Sequence, residues 1–241
     1  MEFSIRCQNC SFSHLCIPFS LSDSEISVLD DIIRRNKPLQ PGQCITEYGK
    51  PLTSLFAVRS GSFKSYIMSA DGEQQITGFH LPGDIIGFDG LSTQSHQSFT
   101  QALETSMVCE IPYTMLDDMS STLPALRRQM TKLMSEEISH EQQVLMLINK
   151  RNAQERIIHF LLNLSARFKA RGMSGSSFNL TMTRGEIGNY LGLTVETVSR
   201  ILSKLNKQNL ISVDGKLIEL LSIDGLKEEL SDSAPLSSAC R

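Results

Sequence analysis

Two short helical patterns near the end of the chain meet at a glycine, and this arrangement most restricts the fold. Thr183-Arg184-Gly185-Glu186 is a capping box, in which the threonine caps a helix and the glutamate reaches back to it. The pattern continues to Leu191, Gly192-Leu193 turns the chain, and Thr194 caps a second helix. Two short helices joined by a tight glycine turn form a helix-turn-helix.

The second of these helices is predicted to have one apolar and one polar stripe. The apolar stripe is Val195, Val198, Leu202 and Leu205. On the polar stripe, arginine can donate two hydrogen bonds to guanine, glutamate can accept one from cytosine, and serine can do either. The stripe lies near the helix N-terminus, the part that enters a major groove. The candidate DNA-binding residues are Glu196, Thr197, Ser199, Arg200 and Ser203.

The segment after this helix resembles the wing of a winged helix-turn-helix. Leu210 to Val213, an Asp214-Gly215 turn and Lys216 to Ile218 predict a β-hairpin with a type I′ turn. Residues 150–221 contain 11 Lys or Arg and 5 Asp or Glu, whereas residues 1–149 contain 10 and 17. A basic segment in an otherwise acidic chain favours double-stranded DNA as partner over a solvated helical hairpin in an enzyme.

The region from Leu39 to Pro112 predicts an all-β barrel or roll. Short apolar runs alternate with turn residues at intervals of roughly ten. Leu55 to Val58 and Met107 to Ile111 have the composition of buried strands. A helical pattern from Ser22 to Arg35 precedes this region.

A long helical pattern follows the roll, from Thr114 to Asn149, with Pro124 expected either to kink it or to begin a helix. Five of its residues repeat with 4-3-4-3 spacing, the pattern of a coiled-coil seam. The regular spacing favours a homodimer over packing on the chain's own roll. The glutamate of the seam would approach its equivalent in a second chain, which would weaken the dimer. The seam residues are Met134, Ile138, Glu141, Leu145 and Ile148.

Three of the six cysteines lie close together near the start of the chain. Cys7, Cys10 and Cys16 have the spacing C-x2-C-x5-C, one ligand short of an iron–sulfur or zinc site. The fourth ligand would come from Cys44, Cys109 or Cys240. We find no signal peptide and no run of ~18 apolar residues, so we expect no membrane association and a cytoplasmic protein with reduced thiols.

In this order, the elements resemble the Crp–Fnr family of bacterial transcription regulators. The most specific segments are the cysteine run, Gln101 to Pro112, Leu180 to Gly185 and Val195 to Arg200. The resemblance implies an α+β fold with an N-terminal β-roll of the cyclic-nucleotide-binding type, a long dimerisation helix and a C-terminal winged helix-turn-helix. It also implies recognition of TTGAT inverted repeats through Glu196, Ser199 and Arg200, and contact with RNA polymerase. It implies an oxygen-labile 4Fe-4S cluster held by Cys7, Cys10, Cys16 and Cys109.

The chain departs from the cyclic-AMP receptors of this family, which hold the nucleotide phosphate with an arginine late in the roll. Between Gly87 and Cys109 it has no Arg or Lys. Because a buried phosphate needs a cation or a helix N-terminus, we expect no cyclic nucleotide to bind.

Two other functions stay open on the sequence. Zinc at the four cysteines would make the site structural and insensitive to redox conditions. An iron–sulfur oxidoreductase is disfavoured because G-x-G-x-x-G, a P-loop and a convincing nucleophile–base pair are all missing.

The predicted organisation is a cysteine segment at 1–20, a roll at 21–113, a dimerisation helix at 114–149, a DNA-binding domain at 150–222 and a tail at 223–241.

Overall fold

A computed structural model describes residues 6–231, and it confirms the predicted α+β class. The chain forms two compact units, with the boundary between Glu141 and Gln142. This boundary lies inside the long helix, earlier than residue 150, where the sequence suggested that the DNA-binding domain starts. Cys240 lies outside the described residues. In the described part of the chain, every helix is too short or too polar to cross a membrane.

The first unit begins with three short 3-10 turns, Cys7–Asn9, Ser13–Leu15 and Ile17–Ser20. Helix α1 (Asp23–Ile32) follows, and Ser22 and Glu25 form a capping box at its start. The helix predicted to reach Arg35 ends earlier, because strand β1 (Arg34–Arg35) pairs with a later strand of the roll.

The roll consists of two four-stranded antiparallel sheets, ordered β1-β8-β3-β6 and β2-β7-β4-β5. Val58, Ile86 and Val108 from the first sheet pack against Phe63 and Ala102 from the second, so a common core joins the sheets. The strands after β1 are β2 (Cys44–Thr46), β3 (Ser54–Ser60), β4 (Phe63–Met68), β5 (Gln74–His80), β6 (Ile85–Ile86), β7 (Phe99–Ala102) and β8 (Met107–Pro112).

The helical stretch predicted from residue 114 forms two helices, α2 (Tyr113–Thr122) and α3 (Pro124–Lys150). Proline is well suited to the first turn of a helix, where its missing N–H group is not needed, and here it begins α3. A second apolar core, on one side of the roll, contains Leu29 of α1, Leu116 of α2 and Leu126 of α3. The buried Cys7 and Ile17 belong to the same core, which therefore fixes the cysteine segment in place.

The second unit contains α4 (Ala153–Ala170), the helix pair α5 (Arg184–Leu191) and α6 (Val195–Lys207), and α7 (Ile223–Ser231). Its sheet has the order β10-β11-β9 and is made of β9 (Ser177–Asn179), β10 (Ile211–Asp214) and β11 (Leu217–Leu220). The sequence left residues 223–241 as a tail, but α7 lies in this segment and buries Leu226 completely.

Candidate metal centre and nucleic-acid interface

The four cysteines implied as ligands line a single cavity in the first unit. Cys7, Cys10 and Cys16 come from the 3-10 turns, and Cys109 comes from β8, where it pairs with Ala57 of β3. The other cysteine whose position is described, Cys44, lies exposed on β2 and away from this cavity. On the sequence Cys44 was one of three candidates for the fourth ligand, and the structure places it apart from the other cysteines.

Burial raises the pKa of three of these thiols, those of Cys7, Cys16 and Cys109. It raises the pKa of Cys16 to about 12, and the nearby Cys109 and Cys10 thiols act in the same direction. It also raises the pKa of Cys7 well above its usual range, with a further contribution from Asp30. Each of these cysteines therefore lies within electrostatic range of others of the set. A thiol in such surroundings loses its proton when a positive charge compensates the thiolate, which a bound metal does.

Three arginines, Arg6, Arg35 and Arg59, also line the cysteine cavity. Burial raises the pKa of Cys109, while the guanidinium groups of Arg35 and Arg59 act to lower it. Arg35 pairs with Cys109 across β1 and β8 and forms an ion pair with Asp30. The Asp30 carboxylate also accepts a hydrogen bond of 3.0 Å from the Cys7 backbone N–H. The cavity thus combines four sulfur donors with cationic side chains that favour a negatively charged metal–thiolate group.

The four cysteine side chains surround a small cavity and are not grouped as the ligands of a single metal ion would be. The cavity is about 30 Å³, room for only one or two water molecules. Among residues 6–231, no three His, Cys, Asp or Glu side chains are grouped as they are around one metal ion. The donor set suits an iron–sulfur cluster, which is held by cysteine thiolates.

In the second unit, two glycines allow α5 and α6 to approach each other. Gly192 ends α5 with φ +65°, the left-handed conformation that glycine adopts without strain. A Cβ atom on Gly188 would lie 2.6 Å from the Leu193 carbonyl oxygen, so a side chain there would force the turn open. Thr183 and Thr194 cap the two helices through their hydroxyl groups, as predicted.

Helix α6 presents its polar residues to the solvent. Glu196 and Arg200 are exposed, and neither forms a hydrogen bond or ion pair with another described residue. Ser203 is also exposed. Ser199 accepts a 3.3 Å hydrogen bond from Arg184 of α5, and the Thr197 hydroxyl accepts one of 3.1 Å from Thr194. The two charged side chains are therefore available for another molecule, whereas Thr197 takes part in the helix cap.

Two details of the predicted motif are wrong. Val195 is 44% exposed, and the apolar stripe of α6 uses Ile201 instead, because the stripe follows the face that packs on α4 and α5. The hairpin turn is Gly215-Lys216, one residue later than predicted, since Asp214 pairs with Leu217. Of these two turn residues only Gly215 has a positive φ, so the turn is not type I′, which needs both.

The predicted dimer seam leaves apolar side chains exposed on α3. Ile138 is 55% exposed and Leu145 is 63% exposed, while Ile148 is half-buried. Met134 packs partly against the core of its own roll. Glu141 is exposed. Exposed apolar residues at coiled-coil spacing fit a helix that meets a second copy.

A second cavity of the first unit, about 370 Å³, lies between the roll and α3. Ser65 forms hydrogen bonds with His80 (2.7 Å) and Thr100 (2.8 Å) in its wall. Among the described residues, three carboxylates line it, those of Asp89, Glu137 and Glu141, and none of the lining side chains is Lys or Arg. The charge of the wall thus opposes an anionic ligand.

Several residues near the cysteines escaped the sequence analysis. Asp30, Arg35 and Arg59 are ordinary charged residues in the sequence, and their spacing gives no signal. Gln129 of α3 is buried and donates a hydrogen bond to the Cys16 carbonyl oxygen. The one available signal was that Gln129 lies on the same face of a helical pattern as Leu126 and Leu133.

Comparison with known proteins gives matches over most of the chain. Residues 36–122 match the cyclic nucleotide-binding domain, and residues 155–229 match the Crp-like helix-turn-helix domain. Electron transport regulator A of Shewanella oneidensis is 58% identical over 215 residues, covering 89% of this chain and 86% of the relative. The fumarate and nitrate reduction regulatory protein of Yersinia pestis is 52% identical over 233 residues, covering 97% and 93%. The chain belongs to the Crp–Fnr family.

Solved structures agree with this assignment. FixK2 from Bradyrhizobium japonicum superposes with a TM-score of 0.76 at 28% identity, covering 87% of this chain and all of that one (100%). The Crp–Fnr relatives are named as regulators, several of them of the anaerobic response. The chain is therefore a transcription regulator of that response and not an enzyme, which removes the oxidoreductase alternative. Regulators of this family bind DNA and act as dimers.

Proposed function

We propose that this regulator senses oxygen through a 4Fe-4S cluster held by Cys7, Cys10, Cys16 and Cys109. The observation that carries the proposal is that these four residues, from two distant parts of the chain, line one cavity. A cluster held by four thiolates is negatively charged overall, and Arg35 and Arg59 lie in the wall to stabilise it. When bound, the cluster would supply the group that oxygen destroys.

The protein's own residues connect this site to DNA. Under anaerobic conditions the cysteine segment would be ordered around the bound cluster. This ordering would favour pairing of α3 with a second copy of the chain. The dimer then presents two copies of α6 to a TTGAT inverted repeat, with Arg200 donating to guanine and Glu196 accepting from cytosine. Ser199 and Ser203 lie on the same face. In the cytoplasm, the bound dimer would contact RNA polymerase and activate or repress genes of anaerobic metabolism.

The second cavity makes a cyclic nucleotide an unsuitable effector. A phosphate there would face Asp89, Glu137 and Glu141 without a Lys or Arg among the described residues of the wall. An unpaired anion buried beside carboxylates is strongly disfavoured. The cysteine site is therefore the proposed sensor.

The test is anaerobic purification followed by counting iron and acid-labile sulfide per chain. The iron-loaded protein should bind a TTGAT palindrome in gel-shift assays and lose that binding after exposure to air. A palindrome with the guanine replaced serves as the control. Zinc in stoichiometric amount, with an oxygen-independent gel shift, would contradict the proposal and support a structural metal site instead.

A further inference from the structure

Helix α3 is hydrogen-bonded directly to the backbone of the cysteine segment. The Gln129 side chain, 4% exposed, donates from Nε2 to the carbonyl oxygen of Cys16 at 3.1 Å. The same oxygen accepts a hydrogen bond from the Phe19 backbone N–H at 3.2 Å. A residue in a helix thus fixes the backbone of a proposed cluster ligand that lies more than a hundred positions earlier.

The surroundings of Gln129 are apolar. Ile17, next to Cys16, and Leu126, one turn before Gln129, are both fully buried in the same core. At the edge of this contact, the Lys132 ammonium lies 5.2 Å from the Phe19 ring centroid, and Ser20 donates a weak 3.4 Å bond to the Ala125 carbonyl. Because a buried amide must keep a hydrogen-bond partner, a shift of Cys16 would require Gln129, and with it the helix, to adjust.

The helix that carries Gln129 also carries the predicted dimer seam. Met134, Ile138 and Glu141 follow Gln129 on α3 without an intervening break. Glu141 lies twelve residues further on, roughly 18 Å along the axis. Because α3 is continuous, a displacement of the helix at Gln129 also displaces the seam residues further along it.

We infer that Gln129 is the positioning residue through which the state of the cysteine site reaches the dimer seam. The inference rests on the proposed function, since it assumes that a cluster at the cysteines controls dimerisation. The hydrogen bond of Gln129 goes to the Cys16 carbonyl oxygen and not to its sulfur. It acts on the backbone of Cys16, and its effect is on the helix.

Asp30 provides a matched comparison. Its carboxylate also binds the backbone of a proposed ligand, accepting from the Cys7 N–H at 3.0 Å. However, Asp30 belongs to α1, which carries none of the predicted seam residues. Loss of Asp30 should weaken the cysteine site itself, whereas loss of the Gln129 amide should weaken its connection to α3.

The deciding variant is Gln129→Met, which keeps an unbranched side chain of similar length and removes the donor. Iron per chain and the dimer dissociation constant are measured anaerobically on full-length protein, and the constant is measured again on cluster-free protein. We expect iron content to be unchanged, because the Phe19 N–H still binds the Cys16 carbonyl oxygen in this variant. The constant of iron-loaded chains should rise about five- to tenfold, the effect of one lost hydrogen bond. The constant of cluster-free chains should stay at the parent value.

Asp30→Ala is the control, and it should give the opposite pattern. Its iron content should fall, while those chains that keep iron dimerise like the parent. If Gln129→Met does not fold, Gln129→Leu, which also has no hydrogen-bond donor, replaces it with the same expectation.

Two results would overturn the inference while leaving the proposed function intact. One is an unchanged dimer constant for iron-loaded Gln129→Met. The other is an equal rise for iron-loaded and cluster-free protein, which would mean that Gln129 serves only the stability of the helix. A parent protein that binds no iron would instead refute the proposed function, so the two failures can be told apart.

Discussion

The cysteine cavity and the exposed face of α6 are built in opposite ways. The cavity joins three turns near the start of the chain to β8, and its thiols are largely withdrawn from solvent. The face of α6 takes its candidate residues from within two turns of one helix, and Glu196 and Arg200 extend into solvent without partners among the described residues. One site depends on long-range packing, and the other on a single helix.

The difference has a physical consequence. In the cavity, the free energy of each charge depends on desolvation and on nearby guanidinium groups, so losing one ligand affects all the others. On the surface of α6, each side chain interacts with a separate base or phosphate and is screened by salt. Substitutions should therefore act as all-or-none changes in the cavity and as graded changes on α6.

The largest effect should come from the cysteines. Replacing Cys7, Cys10, Cys16 or Cys109 singly by serine should abolish anaerobic iron binding. Affinity for the TTGAT palindrome should then fall toward the non-specific level, a loss of ~10³-fold or more. Iron analysis and gel shifts check this, with the exposed Cys44→Ser as the matched control. Retention of iron by Cys109→Ser, or loss by Cys44→Ser, would show that the cavity is not the ligand set.

The next largest effect should come from Glu141 of the predicted dimer seam. Two carboxylates about 4 Å apart repel by ~1–4 kcal/mol, depending on how far solvent screens them. Glu141→Ala should therefore dimerise in air without iron, as measured by sedimentation of aerobically purified protein. Glu136→Ala is the control, because Glu136 lies on the same helix, outside the seam, in an exposed pair with Lys132. A monomeric Glu141→Ala at concentrations where the anaerobic parent is dimeric would contradict the repulsion.

A smaller and sequence-dependent effect is expected on α6. Arg200→Ala should weaken binding to the TTGAT palindrome by ~1–3 kcal/mol and leave binding to random DNA nearly unchanged. Lys207→Ala, at the last residue of α6, is the comparison and should weaken both equally if it contacts phosphate. Titrations at several salt concentrations separate the two effects. A uniform loss in Arg200→Ala would place this residue on phosphate too.

The last prediction is that cyclic AMP does not change the melting temperature of the protein. The carboxylates of the second cavity oppose a phosphate, and no Lys or Arg lines it within residues 6–231. A ligand at a hundred times its dissociation constant stabilises the folded state by ~2.7 kcal/mol, so millimolar cyclic AMP provides a sensitive test by thermal unfolding. A saturable rise in melting temperature would show that the cavity does accept an anion.

The sequence predicted the elements that depend on neighbours a few residues away. The predicted capping box at Thr183 forms as hydrogen bonds between residue i and residue i+3, and a short motif contains both partners. The glycine turn before α6 is equally local. Even in this motif, the sequence assigned Val195 to the apolar stripe of α6, whereas the structure buries Ile201. The neighbouring helices define which face of α6 is buried, and the local sequence does not.

The sequence by itself determined the order of elements, the helix-turn-helix and the presence of a thiol site. Only the tertiary structure decided that Cys109 lies with the N-terminal cysteines and that Cys44 does not, since this depends on pairing of β1 with β8 and β8 with β3. It also decided that Gln129 meets Cys16. Such contacts join residues far apart in the chain, and no spacing rule connects them, because the register of the sheets and the packing of the core set the distances.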